Sequence, residues 1–179
     1  MSRAYEQAFR HVLYPAYEAS RGRATLRHLR EYEANQWLRP EQLAELQWDK
    51  LNALVAHCWA HVPFYRRRWQ DIGFEPGDLR SMDDYARLPV LTKADIRRHF
   101  DDLKARVPGE ALLYKATGGS TGEPLRFGYT RESNDRRAAV MWRGYGWTGA
   151  ALGRRALFLW GGAVGAPGRV AQLKDRMYH

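Results

Sequence analysis

The residues best suited to chemistry stand together in Lys115-Ala116-Thr117-Gly118-Gly119-Ser120-Thr121-Gly122-Glu123-Pro124. Three glycines let a backbone come close to a ligand, and consecutive N–H groups in such a loop form an anion-binding concavity. Thr117, Ser120 and Thr121 add hydroxyls that can turn toward phosphate oxygens. Pro124 ends the run and sets the chain for an extended segment. The chemistry implied is the holding of a polyphosphate. A Walker A loop is excluded, because Gly122 is followed by Glu123 and Pro124 instead of a lysine and a hydroxyl. A dinucleotide fingerprint is excluded too, since no Gly-x-Gly-x-x-Gly occurs here. An ordinary Gly/Ser/Thr loop is the plainer alternative. The continuous run of specified positions, strand-like on both sides, argues against it.

That loop must be held by elements on either side. Ala111 to Lys115 and Leu125 to Tyr129 read as two strands, giving a hairpin with the anion site at its tip. Lys115 and Arg126 could supply counter-charge, although on a strand each can point to either face. Glu123 is expected to face solvent, since a carboxylate would repel phosphates. Upstream the pattern is helical. A short helix over 3–13 is expected to stop near Pro15, and residues 23–37 are helix-compatible. A long helix opens at Pro40 and ends at Val62-Pro63. Another runs from Phe64 to Ile72, with Gly73 as its stop. Ser81 and Thr92 read as N-caps, the latter opening a helix from Lys93 to Phe100. Thr130 caps a helix to about Tyr145. Ala156 to Trp160 reads as a buried strand, and a last helix spans about 169–178. The organisation expected is α/β: a mainly helical region over 1–105, then an incomplete α/β core over 106–179 that carries the loop.

The string Thr117-Gly118-Gly119-Ser120-Thr121-Gly122-Glu123-Pro124 resembles the phosphate-loop signature of the adenylate-forming, AMP-binding enzymes. Val62-Pro63-Phe64-Tyr65-Arg66 and Leu88-Pro89-Val90-Leu91-Thr92-Lys93-Ala94-Asp95-Ile96 are similar to segments of the phenylacetate–CoA ligase-like branch, including relatives associated with capsular polysaccharide synthesis. Phe127-Gly128-Tyr129-Thr130 resembles the strand and turn after the loop. The likeness covers most of residues 40–165. Glu123 stands where a lysine is frequent in the superfamily, and Arg154 follows Gly153 where an aspartate is frequent. Family members run to several hundred residues, so the chain resembles their N-terminal portion, or a truncated relative.

The resemblance implies an ATP-dependent carboxylate–CoA ligase, in which a carboxylate is adenylated and the acyl group then passes to a thiol. It implies that Thr117, Gly118, Gly119, Ser120, Thr121 and Gly122 hold the β- and γ-phosphates. It also implies ATP, Mg²⁺ and coenzyme A as cofactors, and a nucleotide and a small carboxylic acid as ligands. No catalytic residue is assigned, because the adenine, ribose and catalytic-lysine motifs are expected beyond His179. The chain alone is expected to be inactive. The alternative is a truncated, non-catalytic module that uses a basic surface for a protein or nucleic-acid partner.

At 179 residues the chain can hold one domain with a real core. Its net charge is +9, and only five of its 29 basic residues are lysines. A basic surface favours anions, and a solvated arginine-rich surface explains it as well. Arg66-Arg67-Arg68 with Trp69 reads as a solvated helix face with buried aromatics, and nucleic acid is not an expected partner. His57 and His61 stand one helical turn apart, a spacing zinc sites use, but without a third ligand no metal site is assigned. Asp83-Asp84 and Asp101-Asp102 fit helix caps and turns better than acid–base work. Cys58 is the only cysteine. It reads as a buried structural thiol in a reducing compartment. No apolar run long enough for a membrane span and no apolar leader occur, so a cytoplasmic location is expected. An incomplete domain would leave apolar surface exposed, and a homodimer is one way to cover it.

Overall fold

The computed structural model describes residues 3–117 and 124–157. Among these the chain is mostly helical with one two-stranded antiparallel sheet, consistent with an α/β protein. Helix α1 (Arg3–Ala8) runs through a π-helical turn (Phe9–Leu13) into α2 (Tyr14–Arg21). The expected stop at Pro15 does not occur. Proline lacks an N–H and crowds the carbonyl one turn back. Here the preceding turn is widened, with the Tyr14 N–H donating to Phe9 O, and Pro15 falls in the first turn of α2. Gly22, at φ 59°, then ends α2, with the Arg23 N–H donating back to Glu18 O at 2.9 Å.

Helix α3 (Thr25–Asn35) starts from amides that need acceptors. The buried Glu18 carboxylate takes the N–H groups of Thr25 and Leu26 at 2.9 and 3.0 Å. Asp135, from a helix much later in the chain, takes the Ala24 N–H at 2.9 Å and the Arg23 Nε–H at 2.9 Å. Asp135 is only 2% exposed, and each of its carboxylate oxygens takes one of these donors, the arginine matching its charge.

Helix α4 (Pro40–His61) and α5 (Pro63–Gln70) meet at the extended residue Val62. Their junction builds the main core from Val55, Trp69, Phe74 and Leu79, with Leu51, Trp59 and Tyr65 packed around it. Trp69 meets Phe74 edge-on at 5.6 Å, a favoured aromatic geometry. Helix α6 (Met82–Ala86) is capped by Ser81 and α7 (Lys93–Arg98) by Thr92. At Thr92 the cap is reciprocal: its hydroxyl accepts from Asp95 N and Asp95 accepts from Thr92 N.

Strand β1 (Leu113–Ala116) pairs antiparallel with β2 (Arg126–Tyr129), Leu113 opposite Tyr129 and Ala116 opposite Arg126. Thr130 caps α8 (Arg131–Gly146), accepting from Ser133 N. Helix α8 lies along α3 in the same direction. Asp135 meets the start of α3, and Trp147 Nε1, just past α8, donates to Gln36 at the end of α3. Gly153, at φ 81°, lies against Phe9, and Arg154 reaches Glu6 at 3.3 Å. Ala156 and Leu157 form no strand. The rest of that expected strand and the expected last helix fall outside the described residues.

Candidate functional site

Of the six residues singled out for phosphate binding, Thr117 is described; Gly118, Gly119, Ser120, Thr121 and Gly122 fall outside the described residues. What is seen is how the two strands present that segment. Beyond the Ala116–Arg126 pair the ladder gains one further rung. The Thr117 N–H donates to Leu125 O at 3.0 Å, and the Leu125 N–H donates to Thr117 Oγ1 at 2.9 Å. A side-chain oxygen thus takes the place of a main-chain carbonyl.

Lys115 and Arg126 do not share a face. Strand side chains alternate, and the register puts Lys115 with Phe127 and Tyr129 on one side, Arg126 with Tyr114 on the other. Lys115 Nζ sits 4.8 Å from the Tyr129 ring centre. The Arg126 guanidinium lies 4.7 Å from the Tyr114 ring and 5.3 Å from Phe100, while Lys104 covers the same two rings at 5.5 and 4.9 Å. This cation–aromatic stack ties the sheet to the segment after α7. It joins residues from three stretches of chain, and no local sequence pattern announces it.

Beside it opens a cavity of about 670 Å³ between the end of α4, α7, β2 and the start of α8. Leu54, Cys58, Ile96, Phe100 and Phe127 give it a mainly apolar wall, and Arg136 stands at its α8 side. Cys58 is half-buried rather than fully buried, and burial raises its thiol pKa. The neighbouring Tyr65 is pushed the same way, chiefly by burial. Neither group is poised as a nucleophile by its surroundings.

The three consecutive arginines are engaged within the protein. Arg66 donates to Trp59 O and Ala60 O, Arg67 pairs with Asp102 at 2.6 Å, and Arg68 with Asp95 at 3.1 Å. Asp84 and Asp95 do capping work. Hydrogen bonds from Ser81 and the Arg80 amide lower the pKa of Asp84, and those from Thr92 and Arg68 lower that of Asp95 to about 2. Asp102 is lowered chiefly by its hydrogen bond from Arg67. The rings of His57 and His61 lie 4.9 Å apart. Among the described residues no group of three or more potential metal ligands forms, and no helix is long and apolar enough to cross a membrane.

No family model matches the chain. Curated relatives do. Phenylacetate–coenzyme A ligase of Thermus thermophilus is 36% identical over 63% of this chain and 26% of its own length. The Escherichia coli K12 protein of the same name is 33% identical over 58% of this chain and 24% of its own. The chain therefore spans about a quarter of the length of the curated relatives it matches. A solved structure of 2-hydroxyisobutyryl-CoA ligase, in an open conformation with 2-HIB-AMP and CoA, is 32% identical. It matches over 49% of this chain and 21% of its own, at a TM-score of 0.41. The chain is thus similar to phenylacetate–coenzyme A ligases over about 60% of its length, which supports a place for it in the adenylate-forming superfamily.

Proposed function

We propose that this chain is the phosphate-binding part of an ATP-dependent carboxylate–CoA ligase of the phenylacetate–CoA ligase-like kind. The observation that carries the reading is the run from Thr117 to Pro124 between two paired strands, in a chain 33–36% identical to such ligases over about 60% of its length. Thr117, Gly118, Gly119, Ser120, Thr121 and Gly122 hold the β- and γ-phosphates through backbone N–H groups and hydroxyls. This donor set fits a polyphosphate, being rich in small hydrogen-bond donors, and the hydrogen-bonded pair Thr117–Leu125 flanks it. ATP, when bound, supplies the activating nucleotidyl group. Mg²⁺ accompanies it as counter-charge, and coenzyme A is the acceptor. The chain's own contribution is to bind and orient the phosphates, so its share of catalysis is positioning.

On this reading the ligand is a nucleotide with a small carboxylic acid, and the link to capsular polysaccharide synthesis, the division at 105/106 and a homodimer all belong to the proposal. By itself the 179-residue chain turns nothing over. The basic run Arg66–Arg68 offers no independent support for nucleic acid, since each arginine has partners inside the protein.

In a ligase of family length carrying this segment, ATP–pyrophosphate exchange with a cognate acid should fall about 100-fold or more when Ser120 and Thr121 both become alanine, the size seen when transition-state donors are removed. Unchanged exchange would sink the phosphate-loop assignment. Exchange by the 179-residue chain alone would contradict the inactivity proposed for it.

A further inference from the structure

We infer that the apolar cavity beside β2 binds an amphiphilic oxyanion, an aliphatic or aromatic body ending in one carboxylate-type head, with Arg126 as its anchor. The site is separate from the phosphate loop and does not depend on that reading. Three observations carry it. The first is the cavity, of about 670 Å³, which lies within the range of small-ligand sites. Leu54, Ile96, Phe100 and Phe127 give it an apolar wall, and Leu54 and Phe127 are 56% and 41% exposed. An apolar body seated there takes that surface out of water, a gain that grows with the area covered.

The second is the state of Arg126, which also lines the cavity. Among the described residues its side chain has no hydrogen bond and no ion pair. What holds it is a pair of rings, Tyr114 at 4.7 Å and Phe100 at 5.3 Å. Such contacts position the guanidinium and leave its N–H donors free. A planar fork of free donors fits an oxyanion through two parallel hydrogen bonds. The third is charge. Lys104 covers the same two rings, so two cations converge on one aromatic pair. Asp101 answers Lys104 from a largely exposed position. Of the carboxylates lining the cavity, Glu132 is held by Arg136 at 2.9 Å and Glu110 is exposed. Lys104, Arg126 and Arg136 outnumber them, so an anionic head is favoured there over a cationic one.

The test titrates the 179-residue chain with phenylbutyrate, with its neutral amide phenylbutyramide and with acetate. The Ile96 methyl and Phe127 ring signals are followed by NMR. Phenylbutyrate should bind about tenfold tighter than the amide, the scale of a hydrogen bond to a charged group. Acetate should shift neither signal at the same concentration. Arg126→Gln should weaken phenylbutyrate about tenfold and leave the amide unchanged. Leu54→Glu, at an exposed position on a different element from the ring stack, adds a like charge to the wall and should weaken phenylbutyrate more than the amide. It decides the matter if loss of Arg126 disturbs the hairpin. Ser120→Ala/Thr121→Ala should leave phenylbutyrate binding unchanged, so this inference and the phosphate-loop reading fail separately. No shift with phenylbutyrate, amide and acid bound equally, or phenylbutyrate affinity unmoved by Arg126→Gln would overturn the inference.

Discussion

Asp135 shows how much of this protein depends on single buried carboxylates. It is nearly inaccessible and takes one hydrogen bond from Arg23 and one from the Ala24 amide. Replacing it with alanine would remove the carboxylate from Arg23 and the acceptor from a helix-start amide. The expected loss is roughly 2–4 kcal/mol, to be read from urea unfolding. Glu132, exposed on the same helix, should cost about 0.5 kcal/mol or less when replaced by alanine. Equal losses at the two sites would contradict this account of the α3–α8 junction. Asp95 offers a second check. Its pKa is about 2 in the folded chain, against about 3.9 unperturbed. A depressed carboxylate stabilises the fold above its unfolded value, and that contribution disappears as the pH falls through about 2. Carboxyl NMR should show Asp95 titrating near 2, and rising further in Thr92→Val than in Arg68→Ala, because Thr92 is the larger cause. Titration near 4 in the wild type would contradict the cap geometry.

Among the elements, local caps were readable in the sequence and long-range ones were not. Ser81, Thr92 and Thr130 each stand immediately before their helices and cap them as expected, because an N-cap acts on amides two or three residues away. Pro40 opens α4 and Val62-Pro63 ends it for similarly local reasons. The start of α3 could not be read this way: one of its acceptors, Asp135, lies 111 residues from the amide it serves. Pro15 misled for another reason. Its breaking effect was absorbed by a π-helical turn, which periodicity does not reveal. The candidate site was legible as a string and as two strands. The Thr117–Leu125 rung was not, since threonine next to glycine gives no sign that its hydroxyl will replace a carbonyl. Nor was the packing of Gly153 on Phe9. There a Cβ would come within 3.0 Å of the Phe9 Cβ and 3.2 Å of Glu6 O, at φ 81°. Gly153→Ala should therefore cost about 1–3 kcal/mol in thermal or urea unfolding, from backbone strain plus overpacking. A neutral substitution would mean that Gly153 does not sit on α1 and the π turn as described.

At the scale of the whole molecule, a basic chain carries, among the described residues, one two-stranded sheet whose strands flank the segment proposed to bind phosphate. The net charge of +9 favours anionic ligands in general, but charge alone selects no partner. In the function proposed above, selection comes from the segment between β1 and β2. The central claim is that Thr117 to Gly122 hold nucleotide phosphates. Its most direct test is a ³¹P NMR titration of Mg·ATP with the 179-residue chain and with its Ser120→Ala/Thr121→Ala variant. The account predicts that the β- and γ-phosphorus signals shift or broaden with the wild-type chain, more than the α signal does, and that the variant abolishes the effect. Signals unmoved by the wild type, or moved equally by the variant, would contradict it.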